Sequence, residues 1–284
     1  MPTAGGGWMM RFRFLALVVA IVAAVSGAVP ASASSSHFNP PKKYYLSLGD
    51  SVAFGYQRDK LNSEVATGTY SPSNFPGYTY AFGADMQAVR PALAVVDYGC
   101  PGETTVSYTI GCFAQDGQGL PLHDGYTGRS QEQAALAFLH AHHSQVSPIT
   151  VALGANDAMN GVPDSLIQQN LTRILNELRA AAPNAEIIVL QYYNPYYVVD
   201  PATDALAIAL DASIGAAASS VGARVANAFA VINSPLPAGE FANVCLYTLM
   251  CVVGVAPDIH PSDAGYTTIA GVFWDASGYA RLTS

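Results

Sequence analysis

Four positions along this chain carry the residue types that acyl transfer needs, three of them following an apolar run and the fourth near the chain end. Ser51 stands in Leu48-Gly49-Asp50-Ser51 and Gly102 in Cys100-Pro101-Gly102-Glu103-Thr104-Thr105. Asn156 stands in Gly154-Ala155-Asn156-Asp157, and His260 in Pro257-Asp258-Ile259-His260-Pro261. A serine hydroxyl is a weak nucleophile until a neighbouring base takes its proton. His260 can supply that base. The tetrahedral intermediate carries an oxyanion, which needs donors already in place. The N–H of Ser51, the N–H of Gly102 and the carboxamide of Asn156 offer three. Glycine at 102 lets the backbone approach a substrate closely. Taken singly, a Gly-Asp-Ser or Gly-x-Asn-Asp run is an ordinary turn and a late histidine an ordinary surface residue. Their weight comes from order and placement.

The elements between them explain the placement. Apolar runs at 44–48, 93–96, 149–153, 187–190 and 223–226 read as strands. Helices are expected over 76–89, 131–142, 165–181 and 205–219, with a last one opening at Pro261 and running toward Phe273. In 165–181 the helical spacing is carried by Leu166, Leu171, Ile174 and Leu178. Strands alternating with helices imply a parallel sheet covered on both faces. Strands that are apolar throughout fit that burial. The expected fold is one three-layer α/β/α domain of about five strands. Sites in such sheets form outside the carboxyl ends of the strands. Each of the four positions follows a strand or sits near the chain end, so one rim receives all of them.

With these four blocks in this order, the chain resembles the SGNH subgroup of the GDSL hydrolases. The match runs from residue 44 to 266. The family's Ser, Gly, Asn and His fall on Ser51, Gly102, Asn156 and His260. The resemblance implies a flavodoxin-like sheet and ester hydrolysis through an acyl-enzyme, with no metal and no organic cofactor. The Cys-Pro-Gly-Glu-Thr-Thr run is similar to that of secreted bacterial esterases and lipases of the family. The lipase pentapeptide Gly-x-Ser-x-Gly is absent, which argues against the α/β-hydrolase fold.

Two positions depart from the family pattern. Val52 stands where the family usually has Leu, an apolar exchange of little consequence. The triad Asp usually lies three residues before the His, but position 257 is Pro. Asp258 is expected to orient the imidazole from two residues away, with a backbone carbonyl such as that of Pro257 as the alternative.

Composition bounds the rest. About half the residues are apolar (51%) and only 11% are charged, which excludes wholesale disorder. Arg11 and Arg13, the apolar stretch 14–28 and Ala31-Ser32-Ala33 form a signal-peptide pattern over residues 1–33. The expected mature domain is 34–284, secreted, and no stable membrane insertion is expected once the signal is removed. Without the two arginines, 10 basic residues face 20 acidic ones, a net charge of −10. That balance disfavours nucleic acid and anionic membranes as partners. The expected partner is a small-molecule or lipid ester, and the protein is expected to act as a monomer.

Export makes disulfides the expected state of the four cysteines, against a metal site as the rival. Three pairings exist. Proximity favours Cys100–Cys112 and Cys245–Cys251, and the first would close a loop directly around Gly102. Tyr193, Pro195 and Tyr196, in the aromatic run after the fourth strand, are expected to wall the substrate site, as are Tyr192 and Tyr197 if the run is not simply core packing.

Other polar residues read as structural. Asp50 is expected to point away from Ser51, and Asp157 to hold its own loop by hydrogen bonds. His140, His142 and His143 fit a solvated helix end, and His37 and His123 fit loops. Asn170-Leu171-Thr172 matches a glycosylation sequon inside an expected helix. Segments 56–80 and 103–128 read as long loops of the kind that form lids. Three competing functions remain: a carbohydrate deacetylase of the acetyl-xylan type on the same fold, an exported binding protein without catalysis, and a metal-dependent hydrolase using the histidine cluster. A decayed enzyme should have lost one of the four positions, and none is missing.

Overall fold

The computed structural model describes residues 38–236 and 238–283, which fall within one compact unit. The expected signal peptide and His37 lie outside the described residues.

The order of elements is as follows. Strand β1 (Tyr44–Gly49) leads into the short helix α1 (Ser51–Phe54), then α2 (Arg58–Thr67) and α3 (Gly77–Val89). Strand β2 (Ala94–Asp97) is followed by α4 (Phe113–Asp116) and α5 (Gln131–His142). Strand β3 (Val146–Ala152) precedes α6 (Ala155–Met159) and α7 (Asp164–Ala181). Strand β4 (Ile187–Gln191) precedes α8 (Asp204–Ser220), and β5 (Arg224–Asn227) precedes α9 (Phe229–Ile232) and α10 (Glu240–Tyr247). A two-stranded antiparallel pair, β6 (Thr248–Leu249) and β7 (Asp258–Pro261), comes before α11 (Asp263–Ser277).

The five strands β1–β5 form one parallel sheet in the order β2-β1-β3-β4-β5. The chain leaves β1 toward one edge and returns through β3 toward the other, so a crevice opens where the direction reverses. Successive residues of a strand face opposite ways. Tyr44 packs edge-on to Phe138 of α5, whereas Tyr45 packs against Phe82 of α3. Helices α3 and α11 cover the second face, locked by Phe273 stacked on Tyr78 and Phe82. Helices α5, α7 and α8 cover the first. The three-layer α/β/α arrangement is the expected one.

Four differences from the sequence-based expectation have physical causes. The buried stripe of α7 is Ile167, Leu171, Ile174, Leu175 and Leu178, while Leu166 is exposed. Pro148 lies inside β3 rather than before it, where the β1–β3 register shifts and a ladder N–H is dispensable. Segment 56–80 is not a loop, since α2 occupies 58–67 and part of α3 follows. Helix α2 buries no residue, so it lacks the apolar stripe by which a helix is recognised. Segment 103–128 contains α4. Among the described residues no helix is long and apolar enough to cross a membrane.

Candidate active site

Helix α1 begins where β1 ends. The side chain of Asp50 caps it, accepting from the Val52 N–H at 2.8 Å. The first amides of a helix have no partner within it. Asp50 uses that of Val52, while the N–H of Ser51 makes no hydrogen bond within the described residues. The turn is possible because Gly49 approaches β3. A Cβ there would lie 2.3 Å from the carbonyl oxygen of Ala152, on a backbone with φ of 144°.

Ser51 is nearly buried, and its Oγ lies 2.9 Å from Nε2 of His260. The other ring nitrogen, Nδ1, lies 2.5 Å from Oδ1 of Asp258. Asp258 therefore reaches the imidazole from two residues away, because β7 is extended and turns both side chains inward. The Pro257 carbonyl does not fill this position. It accepts from the Arg58 guanidinium at 3.1 Å, as the Ala256 carbonyl does at 2.5 Å. The Arg58 N–H donates to Oδ2 of Asp258 at 2.8 Å. Burial alone would raise the Asp258 carboxyl. The hydrogen bond and charge of His260, with the amides of Arg58 and His260, outweigh it and hold the group below its ordinary value.

The backbone around His260 is clamped as well. Tyr193 donates through its hydroxyl to the Ile259 carbonyl at 2.8 Å, and Gln57 donates to the Pro261 carbonyl at 3.2 Å. The Tyr56 ring lies 4.6 Å from the imidazole, centroid to centroid. Arg58, Gln57 and Tyr56 were invisible as site residues in the sequence. The one clue was their position soon after Ser51.

Gly102 sits after β2 with φ of 84°, and a Cβ there would meet nothing within 4 Å. Conformation, not space, therefore requires glycine. Its N–H makes no hydrogen bond within the described residues. Asn156, in the first turn of α6, donates from Nδ2 to the carbonyl oxygen of Glu103 at 2.9 Å. That bond uses one amide proton and leaves the second free. Asp157 ties the same loops together, accepting from the N–H of Thr105 at 2.8 Å and from its hydroxyl at 2.5 Å. Asn170 donates to that hydroxyl oxygen at 2.9 Å from within α7, so the sequon residue serves the loop.

Beneath these residues lies a buried polar layer. The carboxamide of Gln131 pairs with the Gly49 backbone, accepting from its N–H at 2.7 Å and donating to its C=O at 2.9 Å. It also donates to Glu103 at 3.3 Å. Burial pushes the Glu103 carboxyl up to about 8. The Ser107 and Gln131 hydrogen bonds oppose that shift, and the Asp50 and Asp157 charges add to it. The second carboxylate oxygen of Asp50, Oδ2, accepts from the Tyr192 hydroxyl at 2.7 Å. Burial raises Asp50 to about 6, against those hydrogen bonds.

Both cysteine pairs expected from proximity are disulfides, Cys100–Cys112 and Cys245–Cys251. Tyr193, Pro195 and Tyr196 line a cavity beside Ser51 together with Tyr192, whereas Tyr197 does not. His142 packs against Tyr44 and Phe138. His123 is on a loop but buried, with Nε2 at 3.1 Å from the carbonyls of Phe54 and Phe75. Among the described residues, the one group of three ligand-type side chains close enough to share a metal is Cys100, Glu103 and Cys112. Its two cysteines are consumed by their disulfide.

The model of the GDSL-like lipase/acylhydrolase family matches residues 47–268. No curated protein sequence matches the chain. Among solved structures, an acetylxylan esterase of Geobacillus stearothermophilus, Axe2, is similar at 17% identity with a TM-score of 0.56. That match covers 85% of this chain and 97% of the other. A putative GDSL-like lipase of Parabacteroides merdae is similar at 13% identity and a TM-score of 0.57, over 85% and 98% of the two chains. A hydrolase from the Lake Arreo metagenome, LAE5, is similar at 18% identity and a TM-score of 0.50, over 85% and 97%. At these identities the likeness is one of fold.

Proposed function

We propose, from the premise that this chain belongs to the GDSL-like lipase/acylhydrolase family and is a carboxylic ester hydrolase, that it is an exported serine esterase using Ser51, His260 and Asp258. The observation that carries the assignment is the linear relay in which Ser51 Oγ, His260 and Asp258 are joined by contacts of 2.9 and 2.5 Å.

The geometry supports two displacements. Asp258 holds a proton on Nδ1 of His260, which leaves Nε2 free to accept. Ser51 Oγ attacks the ester carbonyl carbon as its proton passes to Nε2. The carbonyl oxygen becomes an oxyanion, met by the N–H groups of Ser51 and Gly102 and the free amide proton of Asn156. The C–O bond to the alcohol breaks, and His260 returns its proton to the departing oxygen. Water then attacks the acyl-Ser51 carbonyl, with His260 again taking the proton, and the Ser51–acyl bond breaks as His260 returns that proton to Ser51 Oγ and the acid leaves. The side chains needed are all present, and this route calls on no metal or cofactor.

Export rests on the signal-peptide pattern of residues 1–33 and on two disulfides, which persist in oxidising surroundings. The test is hydrolysis of p-nitrophenyl butyrate by the mature protein and by Ser51→Ala. Turnover that vanishes in the variant supports the assignment, and equal turnover in both contradicts it.

A further inference from the structure

Two cavities of different character meet at Ser51. They share Ser51, Asn156, Ile259 and His260, and then diverge. One, of about 250 Å³, runs between α6 and the start of α8. Its walls are almost wholly apolar and include Ala155, Ala158, Met159, Leu206, Ala207 and Leu210. The other, of about 550 Å³, runs past Gly102 toward α2. It is wider and mixed in character, with Asn62 and Gln118 beside Leu61 and Val65.

We infer that the apolar cavity holds the acyl arm and the wider one the alcohol, so that the substrates are esters of unbranched aliphatic acids longer than acetate with a polar alcohol. The inference rests on the serine-esterase assignment above and extends it. The two arms of an ester face opposite demands in a double displacement. The acyl arm stays through both halves of the reaction and gains from apolar walls. The alcohol must leave, and water must reach the same face of the carbonyl, which suits the wider and more polar opening. An acetyl group would leave the apolar cavity unfilled, and such a space has too few polar partners to hold water well. Each methylene placed there is worth roughly fourfold in binding.

Ala207 sets the length that fits. It lies three residues before Leu210 on α8, so the two side chains share the helix face that lines the cavity. A larger group at 207 projects into the space the chain would occupy.

The experiment measures kcat/KM for p-nitrophenyl acetate, butyrate, hexanoate and octanoate. It is run on the wild type, Ala207→Trp, Ala158→Leu and Val65→Trp. The leaving group is constant, so only the acyl arm varies. The expected wild-type profile rises at least tenfold from acetate to octanoate. Ala207→Trp should cut the octanoate-to-acetate ratio about tenfold. Ala158→Leu should move it the same way from the opposite wall, and serves if the tryptophan variant fails to fold. Val65→Trp, in the wider cavity, should change all four rates alike. A wild type that prefers acetate overturns the inference while leaving the esterase assignment intact, as do unaltered ratios in the Ala207 and Ala158 variants or an altered ratio in Val65→Trp. Absence of Ser51-dependent turnover on all four esters overturns the assignment itself, and the inference with it.

Discussion

The main-chain N–H of Arg58 donates to Oδ2 of Asp258 at 2.8 Å, while Oδ1 of the same carboxylate faces His260 at 2.5 Å. Asp258 is thus fixed from behind by the first residue of α2. Its two oxygens have separate partners, so its carboxylate cannot swing away without losing both.

Replacing Asp258 by Asn should lower kcat on the order of 10⁴-fold, because the amide favours the wrong imidazole tautomer. KM should change little. Nearly unchanged kcat would mean that a backbone carbonyl orients His260 instead. The carboxyl is held below its ordinary value, so its pairing stabilises the fold above that value. The contribution is lost as pH falls through the lower, folded-state value. The gap in melting temperature between the wild type and the Asn variant should therefore narrow as pH falls through that value, because the variant has no carboxyl there to titrate.

The oxyanion donors make a second expectation. Asn156→Ala should cost on the order of 10²–10³ in kcat, the usual effect of losing one such donor. Gly102→Ala meets no steric obstacle, but it puts an L-residue at φ of 84°. That conformation costs roughly 1–2 kcal/mol, and relaxing it moves the N–H away from the oxyanion. Steady-state kinetics with one ester would show kcat falling in both variants with KM little altered. A fall carried mainly by KM would place these groups in ground-state binding instead.

A third concerns Glu103. Its carboxyl is raised from 4.5 to about 8 by burial. Below 4.5 both folded and unfolded states are protonated, and burial costs nothing by this route. Between 4.5 and 8 the unfolded state ionises while the folded state stays neutral, so stability falls as pH rises, then levels off. Asp50 and Asp211, raised to about 6 and 7, act in the same direction. The informative quantity is therefore the difference from Glu103→Gln. The drop in melting temperature from pH 5 to pH 8 should be smaller in the variant. An equal drop would mean that Glu103 is ionised in the folded protein.

A fourth concerns Cys100–Cys112, whose loop encloses Gly102 and Glu103. Loop closure of that size is worth about 3 kcal/mol. In a domain of this length that is roughly 6–12 °C in melting temperature. The double variant Cys100→Ser, Cys112→Ser should lose that stability and also lose kcat, since the Gly102 donor is no longer held. Lost stability with full kcat would limit the disulfide to a structural part.

Three of the four candidate blocks were legible because a parallel sheet delivers its strand ends to one rim, and each of them follows an apolar run. The His260 block lies on β7, outside that sheet, and was legible from the resemblance and its place near the chain end. Sequence alone does not fix the acceptor for His260, since the reach of Asp258 depends on how β7 turns. The supports were not legible. Arg58 to Asp258, Gln131 to Gly49 and Tyr192 to Asp50 are pairings across 200, 82 and 142 residues. No period or spacing encodes such contacts. Helix α2 is hidden in the sequence for a related reason, because with no buried residue it carries no stripe.

The most direct test is covalent. An alkyl fluorophosphonate should react by forming a bond from Ser51 Oγ to phosphorus as fluoride leaves, giving a stable mimic of the tetrahedral intermediate. Mass spectrometry of the digested protein should then find one adduct, on the peptide holding Ser51, with stoichiometry matching the loss of esterase activity. Full activity without an adduct, or an adduct at another residue that tracks the lost activity, would contradict Ser51 as the nucleophile.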